Sequence, residues 1–263
     1  MLRELLHSLP AAPLAALLMA AVLTPTALAV WVLGLDRPSA DRSDDNLLTA
    51  AIRFVGGAFA LLAAFSIVSL ATQSSTARSA VRAEAAAAES FAREAKRLDG
   101  PQGPALLRGV EGYLEAVIKE EWPLMGEPAR THDPADDEMD RLFDMIFSPS
   151  VAPPHGQYDA RYALVVSSLD RLEERRVLRL LTGRDPLSGV LWTALLVSAA
   201  TMLVVAAVYP AGRRRALKWV QLFTTGTVIA IVLFVVLALE HAYHGFLAVE
   251  PHALESVLQQ LRH

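Results

Sequence analysis

The stretch "FVGGAFALLAAFSIVSLA" at Phe54–Ala71 decides the fold, because it is long and apolar enough to cross a lipid bilayer as a helix. It contains no charged side chain, and Arg53 precedes it directly. The hydrocarbon core of a bilayer is about 30 Å thick and is crossed by about 20 apolar residues in a helix. We therefore expect a transmembrane helix here.

Similar apolar runs elsewhere in the chain predict a total of four spans, the others being Ala11–Leu35, Leu187–Tyr209 and Val220–Leu239. The first run has a rival interpretation, because "ALA" at 27–29 resembles the cleavage site of a secretory signal. The run continues through Trp31 to Leu35, which is too long for the apolar region of a signal peptide. We expect it to be retained as span one, kinked at Pro25.

Composition agrees with a membrane protein and excludes several other classes. The chain has 263 residues, 53% of them hydrophobic, and a mean hydropathy of +0.35, which is more apolar than a typical soluble domain. A net charge of −4 gives no basic character for nucleic-acid binding, and the absence of cysteine excludes disulfides and thiolate chemistry. We find no phosphate-binding glycine loop, nucleophile elbow or HExxH motif, so we predict no enzyme, no cofactor and no metal.

A polar insert separates spans two and three. Its composition favours helices, which are expected over 74–98, 105–125, 137–147 and 157–181, with breaks at "GPQGP" (100–104), Pro123 and "SPSVAPPHG" (148–156) and with Asp136 as a cap. The predicted fold is an all-α membrane protein with four transmembrane helices and a helical insert. Its parts are spans one and two (1–72), the soluble insert (73–186), spans three and four (187–244) and a C-terminal tail helix (245–263).

The order of these segments resembles the bacterial bestrophin-like family of unknown function, from Arg53 to Leu261. The resemblance rests on the glycine-containing second span, on "YLEAVIKEEWPLM" (113–125), on "LDRLEERRVLRLL" (169–181) and on "LEHAYHGFLAVEP" (239–251). The family usually has Pro-Phe after the acidic residue that ends span four, whereas His241-Ala242-Tyr243 follow Glu240 here. Arginine and lysine near the span ends are balanced between the two sides and leave the orientation open.

That resemblance implies a multi-pass protein of the bacterial inner membrane, surrounded by lipid, with both termini and the insert in the cytoplasm. It also implies a homo-oligomer that conducts a small anion through an apolar constriction on span two. The alternative is a non-conducting, membrane-anchored scaffold or sensor whose insert binds a partner. The residues of span two leave both hypotheses open.

Span two carries two overlapping patterns of candidate residues. Gly56, Ala60 and Ala64 recur every four residues, and such small side chains let helices approach closely in lipid. Large apolar residues on the same span are candidates for a constriction that gates by dewetting, namely Phe54, Phe59 and Phe65 with Leu61, Leu62 and Ile67. Ordinary helix packing and a pore lining are both consistent with this sequence.

Two further groups of residues are candidate sites. The first is a predicted corner formed by Tyr113, Glu121, Trp122 and Pro123. It is either a Trp–Pro packing corner whose acidic side chains are solvated, or a helix lock or cation site. Arg175, Arg176 or Arg179 could offset the unfavourable acidic charge at this helix C-terminus. Glu240, His241 and His244 share a helix face at the end of span four. A closed zinc site would need further ligands, and His252 is the only other histidine nearby. The three residues are therefore interpreted as an interface anchor or as a pH-sensitive element.

Overall fold

The computed structural model describes residues 42–98, 101–125, 134–148, 160–182, 187–208, 215–240, 243 and 249–263, together with the isolated residues 20 and 24. Within these ranges the regular structure is entirely helical and contains no strand, as the sequence predicts. Apart from the two isolated residues, the first predicted span lies outside the described part of the chain.

The described helices follow one another along the chain. They are α1 (Arg42–Ala95), α2 (Gln102–Ala116), a π-helical turn (Val117–Glu121), a 3-10 turn (Trp122–Leu124), α3 (Pro134–Phe147), α4 (Ala160–Thr182), α5 (Gly189–Val208), α6 (Arg215–Leu239) and α7 (His252–Arg262). Helix α3 begins at Pro134, so the prediction that Asp136 caps it is wrong: Asp136 lies in the first turn.

Helix α1 continues without a break from the predicted second span into the insert. It contains 54 residues, which at 1.5 Å per residue correspond to about 81 Å. No proline interrupts it, and its second half is rich in alanine, glutamate and arginine, which are strong helix formers. One helix therefore carries both the apolar stretch and the first helix of the insert.

The chain divides into two compact units, with the boundary on α1 between Thr72 and Gln73. Among the described residues, three helices are long and apolar enough to cross a membrane. The first unit contains two of them whole, Gly189–Ala207 and Trp219–Leu239, and the N-terminal part of the third, Thr49–Ala95 within α1. Helices α5 and α6 pack together. The core of this unit joins one face of α1 to both of them through Phe59, Ala63, Leu70, Leu195, Ala199, Ile229, Leu233 and Val236.

The second unit is a helical bundle formed by the C-terminal half of α1 with α2, α3, α4 and α7. Helix α2 is amphipathic, since Leu106, Val110, Tyr113 and Leu114, at three-and-four spacing, are buried in the core of this unit. Helix α7 packs against α2 and buries its apolar edge of Leu254, Val257 and Leu258. The tail is therefore an integral part of this bundle.

Candidate functional site

A cluster of ionisable side chains is buried inside the second unit, and we call it the buried charge cluster. Its members are Glu84 on α1, Tyr113 on α2, Glu121 on the π-helical turn, and Arg176 and Arg179 on α4. Arg179 and Glu84 are both 0% exposed. A buried charge is tolerated only when it is paired and hydrogen-bonded, so the contacts of each group decide whether the cluster is stable.

Arg179 lies at the centre of the cluster and binds both carboxylates. Its Nε donates to Glu84 Oε2, and its Nη2 donates both to Glu84 Oε1, at 3.2 Å, and to Glu121 Oε1. Glu84 Oε1 also accepts a hydrogen bond from the Tyr113 hydroxyl at 2.6 Å. Arg179 thereby joins α1, α4 and the π-helical turn through charge-assisted hydrogen bonds.

Arg176 completes the pairing of Glu121. Its Nη2 and Nε donate to Glu121 Oε2 at 2.5 and 3.1 Å, and its Nη1 donates to Asp136, whose side chain is 61% exposed. Both oxygens of Glu121 are therefore occupied by guanidinium groups. The buried core of the cluster contains two carboxylates and two guanidinium groups, so its formal charge is balanced.

Helical spacing explains why these charged residues point inward. Buried residues on the second half of α1 follow a three-and-four spacing, and Glu84 occupies one of these positions among Ala77, Val81, Ala88, Phe91 and Ala95. On α4 the same spacing places Arg176 and Arg179 after Val165, Leu169 and Leu172. The arginines and Glu84 thus stand at core positions of two otherwise apolar helix faces.

Aromatic side chains cover one side of the cluster. The guanidinium of Arg179 lies 5.5 Å from the centroid of the Trp122 ring, and Trp122 makes an edge-to-face contact with Tyr243 at 5.5 Å. The Tyr243 hydroxyl donates to the backbone carbonyl of Arg179 at 3.3 Å and lies 3.2 Å from Thr182 Oγ1. Tyr243 is therefore attached to α4 beside the cluster.

Burial and neighbouring charge shift the pKa values of Tyr113 and Glu121 in directions that favour a neutral tyrosine and an ionised, paired Glu121. Burial raises the pKa of the Tyr113 phenol well above its usual range, and the Glu84 carboxylate raises it further. Burial alone would raise the pKa of Glu121, but Arg179 and Arg176 outweigh burial and lower it. Every group is engaged in pairing, so the cluster serves to hold helices together.

Replacing Glu121 with glutamine is expected to lower the free energy of unfolding by about 3 kcal/mol at neutral pH, because two buried guanidinium groups lose a partner. The loss should depend on pH. Since the folded pKa of Glu121 is lowered, its stabilisation is present above the ordinary value of 4.5 and is lost as the pH falls through the folded value. Denaturant unfolding in detergent at pH 7 and about pH 3 measures this difference.

Glu120→Gln is the matched control for this experiment, because Glu120 is the preceding residue and is exposed. It should change the free energy of unfolding by no more than about 0.5 kcal/mol at either pH. A Glu121→Gln variant as stable as Glu120→Gln at pH 7 would show that the buried pairing contributes nothing.

The predicted corner is assembled in the structure only in part. Tyr113, Glu121 and Trp122 are buried around Arg179, whereas Pro123 is exposed. The interpretation of Glu121 as a solvated acid is wrong, because the π-helical turn directs it towards α4, while Glu120 is exposed as expected. Sequence reasoning missed Glu84, although its core position in the three-and-four spacing was a signal.

The candidate residues of span two are divided between different faces of α1. Phe59 is buried at 3% exposure within the first unit, and a side chain at Gly56 would touch Met202 at 3.7 Å. Phe54, Ala60, Ala64 and Phe65 are exposed. Phe54 and Phe59 are five residues apart, which corresponds to about 140° around the helix, so the two side chains cannot line the same pore. A constriction on the exposed side of α1 would therefore include Phe54 but not Phe59, and the constriction itself stays a prediction.

Large apolar side chains occupy that exposed side, and we call them the apolar stripe. Its members are Phe54 (79% exposed), Leu61 (73%), Phe65 (59%) and Val68 (64%). Alongside the stripe lie the exposed small residues Gly57, Ala60, Ala64 and Ala71. None of the residues that the structure describes packs over this side of α1.

Glu240 is described, whereas His241 and His244 lie outside the described residues. Glu240 follows α6 directly, and its Oε1 accepts a hydrogen bond from the Trp192 indole Nε1 at 2.9 Å. This contact joins the end of α6 to α5 within the first unit. The role predicted for Glu240 together with the two histidines stays a prediction.

Comparison with known proteins places this architecture among known folds. Residues 19–254 match the family model of the bestrophin-like domain. A bacterial bestrophin homologue from Klebsiella pneumoniae has a similar crystal structure, with a TM-score of 0.68 and 13% identity over 95% of this chain and 98% of that chain. The crystal structure of a membrane protein gives a TM-score of 0.62 and 12% identity over 94% and 96% of the two chains. No curated protein sequence matches the chain.

Proposed function

Because the chain belongs to the bestrophin-like family, we propose that it is a multi-pass protein of the bacterial inner membrane that assembles with copies of itself into an anion channel. In this assembly the exposed side of α1 faces the central axis, and the insert lies in the cytoplasm. The pore is formed by side chains and backbone and requires no cofactor or catalytic group.

The observation that carries this proposal is the apolar stripe on α1. A single chain leaves Phe54, Leu61, Phe65 and Val68 exposed although the opposite face of the same helix is packed. The neighbouring small residues let copies of α1 approach closely. If several copies of α1 surround an axis, their stripes would form rings of apolar side chains. Such rings form a constriction that gates by dewetting.

The charge distribution supports a channel over a coupled transporter. The apolar stretch Phe54–Ala71 contains no Asp, Glu, His, Lys or Arg, and neither do Leu187–Tyr209 and Val220–Leu239. Proton relays and ion-coupled transporters depend on ionisable groups inside the membrane. A passive apolar pore does not, so it fits these spans better.

The absence of native cysteine allows a direct test of the orientation of α1, because Leu61→Cys introduces the only thiol. We expect a charged, water-soluble thiosulfonate to modify this thiol in proteoliposomes and to reduce anion flux by more than half. The control is Phe223→Cys, on an exposed apolar position of α6, which should remain unmodified in lipid. Equal protection of both thiols would place the stripe in lipid and contradict the proposal.

The alternative function, a non-conducting scaffold or sensor, is favoured by a different observation. In the second unit, Val177 and Leu181 are exposed and lie four residues apart, so they are adjacent on the surface of α4; Phe147 and Leu164 are exposed as well. Clustered apolar surface is a feature of protein-binding sites. A scaffold would bind a partner through this unit and would show no flux in either direction, so flux measurement separates the two functions.

A further inference from the structure

Exposed polar residues follow the apolar stretch on α1, and we call them the basic strip. Its members are Ser75, Arg78, Ser79 and Arg82, all of them exposed. Arg78 and Arg82 are four residues apart and therefore adjacent on the helix surface. They are the only ionisable residues on α1 between Ala71 and Glu84.

No described carboxylate compensates the charges of the basic strip. In the ranges that the structure describes, neither Arg78 nor Arg82 forms an ion pair, whereas Arg93 further along α1 pairs with Glu89 at 2.8 Å. The next carboxylate on the helix, Glu84, is buried and bound by Arg179. Glu89 is the first exposed carboxylate of α1 beyond the apolar stretch. The strip therefore carries net positive charge.

Helical spacing relates the basic strip to the apolar stripe. Leu61, Val68, Ser75 and Arg82 follow one another at intervals of seven residues, and each is exposed. Seven residues amount to nearly two turns, with a drift of about 20° per interval. The four positions consequently lie within about 60° on one side of the same helix. Arg78 is about 15 Å beyond Val68 along the helix.

We propose that the basic strip is an anion-selecting site, in which Arg78 and Arg82 attract small inorganic anions towards the apolar constriction and repel cations. This inference rests on the proposed function, because it requires the exposed side of α1 to face the axis. Symmetry would then repeat both guanidinium groups in every subunit and produce rings of positive charge. Rings of arginine or lysine are a general means by which anion pores select their ion.

Arginine suits this role because its charge persists at any physiological pH and its guanidinium presents several donors to an anion. The hydroxyls of Ser75 and Ser79 add neutral donors beside it. The attraction acts on hydrated ions in an aqueous vestibule and is screened by salt. The screening length is about 30 Å at 0.01 M salt and about 3 Å at 1 M salt. Selectivity from this site should therefore be strongest in dilute salt.

The test is the reversal potential of the full-length protein in planar bilayers under a potassium chloride gradient. Arg78→Gln combined with Arg82→Gln should lower the chloride-to-potassium permeability ratio by about threefold or more in dilute salt, and by less at high salt. Lysine at both positions keeps the charge and should keep the ratio. The matched control is Arg171→Gln with Arg175→Gln, an exposed arginine pair with the same spacing on α4, which should retain the wild-type ratio.

The outcomes separate the inference from the function on which it rests. If the wild type conducts chloride and the Arg78/Arg82 glutamine variant has the same permeability ratio, the basic strip is not an anion-selecting site. If that variant changes only the response to added phosphatidylserine in phosphatidylcholine bilayers, the arginines bind lipid headgroups, and the inference is overturned. A wild type that passes no chloride overturns both the inference and the proposed channel.

Discussion

Replacing Arg179 with methionine is expected to lower the free energy of unfolding by about 3–5 kcal/mol. Arg179 is fully buried and pairs with Glu84 and Glu121, which are themselves buried. Methionine fills much of the space but leaves both carboxylates with too few donors, and an uncompensated buried charge costs several kcal/mol. The contact between the guanidinium and the Trp122 ring is lost as well.

Denaturant unfolding in detergent measures this loss, and Arg175→Met is its matched control on the same helix. Arg175 is exposed, so the control should stay within about 0.5 kcal/mol of the wild type. Combining Arg179→Met with Glu84→Gln should restore part of the stability, because one of the unpaired charges is removed with its partner. If Arg179→Met is as stable as Arg175→Met, the buried charge cluster is not what holds these helices together.

Replacing Phe65 with alanine is expected to raise anion flux about tenfold, a change in barrier of about 1.4 kcal/mol. Phe65 belongs to the apolar stripe and is 59% exposed in the single chain. If the stripe surrounds the pore, its rings exclude water and set a barrier to hydrated ions. Removing the aromatic ring widens that constriction and lowers the barrier, without removing a contact from the core of the chain.

Phe223→Ala provides a close control, because Phe223 has the same side chain, is 57% exposed and lies on α6. Flux through this variant in proteoliposomes should equal that of the wild type. Equal flux through Phe65→Ala, Phe223→Ala and the wild type would show that Phe65 does not line the conducting path.

Much of the fold is predictable from sequence because its helices have regular apolar periodicity. Leu106, Val110 and Tyr113 recur at helical spacing and form the buried face of α2, and Leu254, Val257 and Leu258 do the same for the buried edge of α7. The uncharged length of Phe54–Ala71 predicted a membrane-spanning helix without any knowledge of its neighbours. These features depend on local patterns that each segment carries by itself.

The buried charge cluster was less predictable because it depends on contacts between distant segments. Glu84 stands in an alanine-rich stretch that resembles a solvated helix, and its partner Arg179 is 95 residues away. Glu121 was placed at a helix end, where acids are usually solvated, and nothing in the local sequence announces the π-helical turn. A charged residue at a three-and-four core position, such as Glu84 or Arg179, is the one local sign of such a pairing.

Chloride efflux from liposomes that contain the purified full-length protein tests the proposed channel most directly. We predict efflux that increases with the amount of protein, exceeds potassium efflux measured under the same conditions, and is absent from empty liposomes. A correctly inserted and folded protein that releases no more chloride than empty liposomes would contradict the proposed function and favour a non-conducting scaffold.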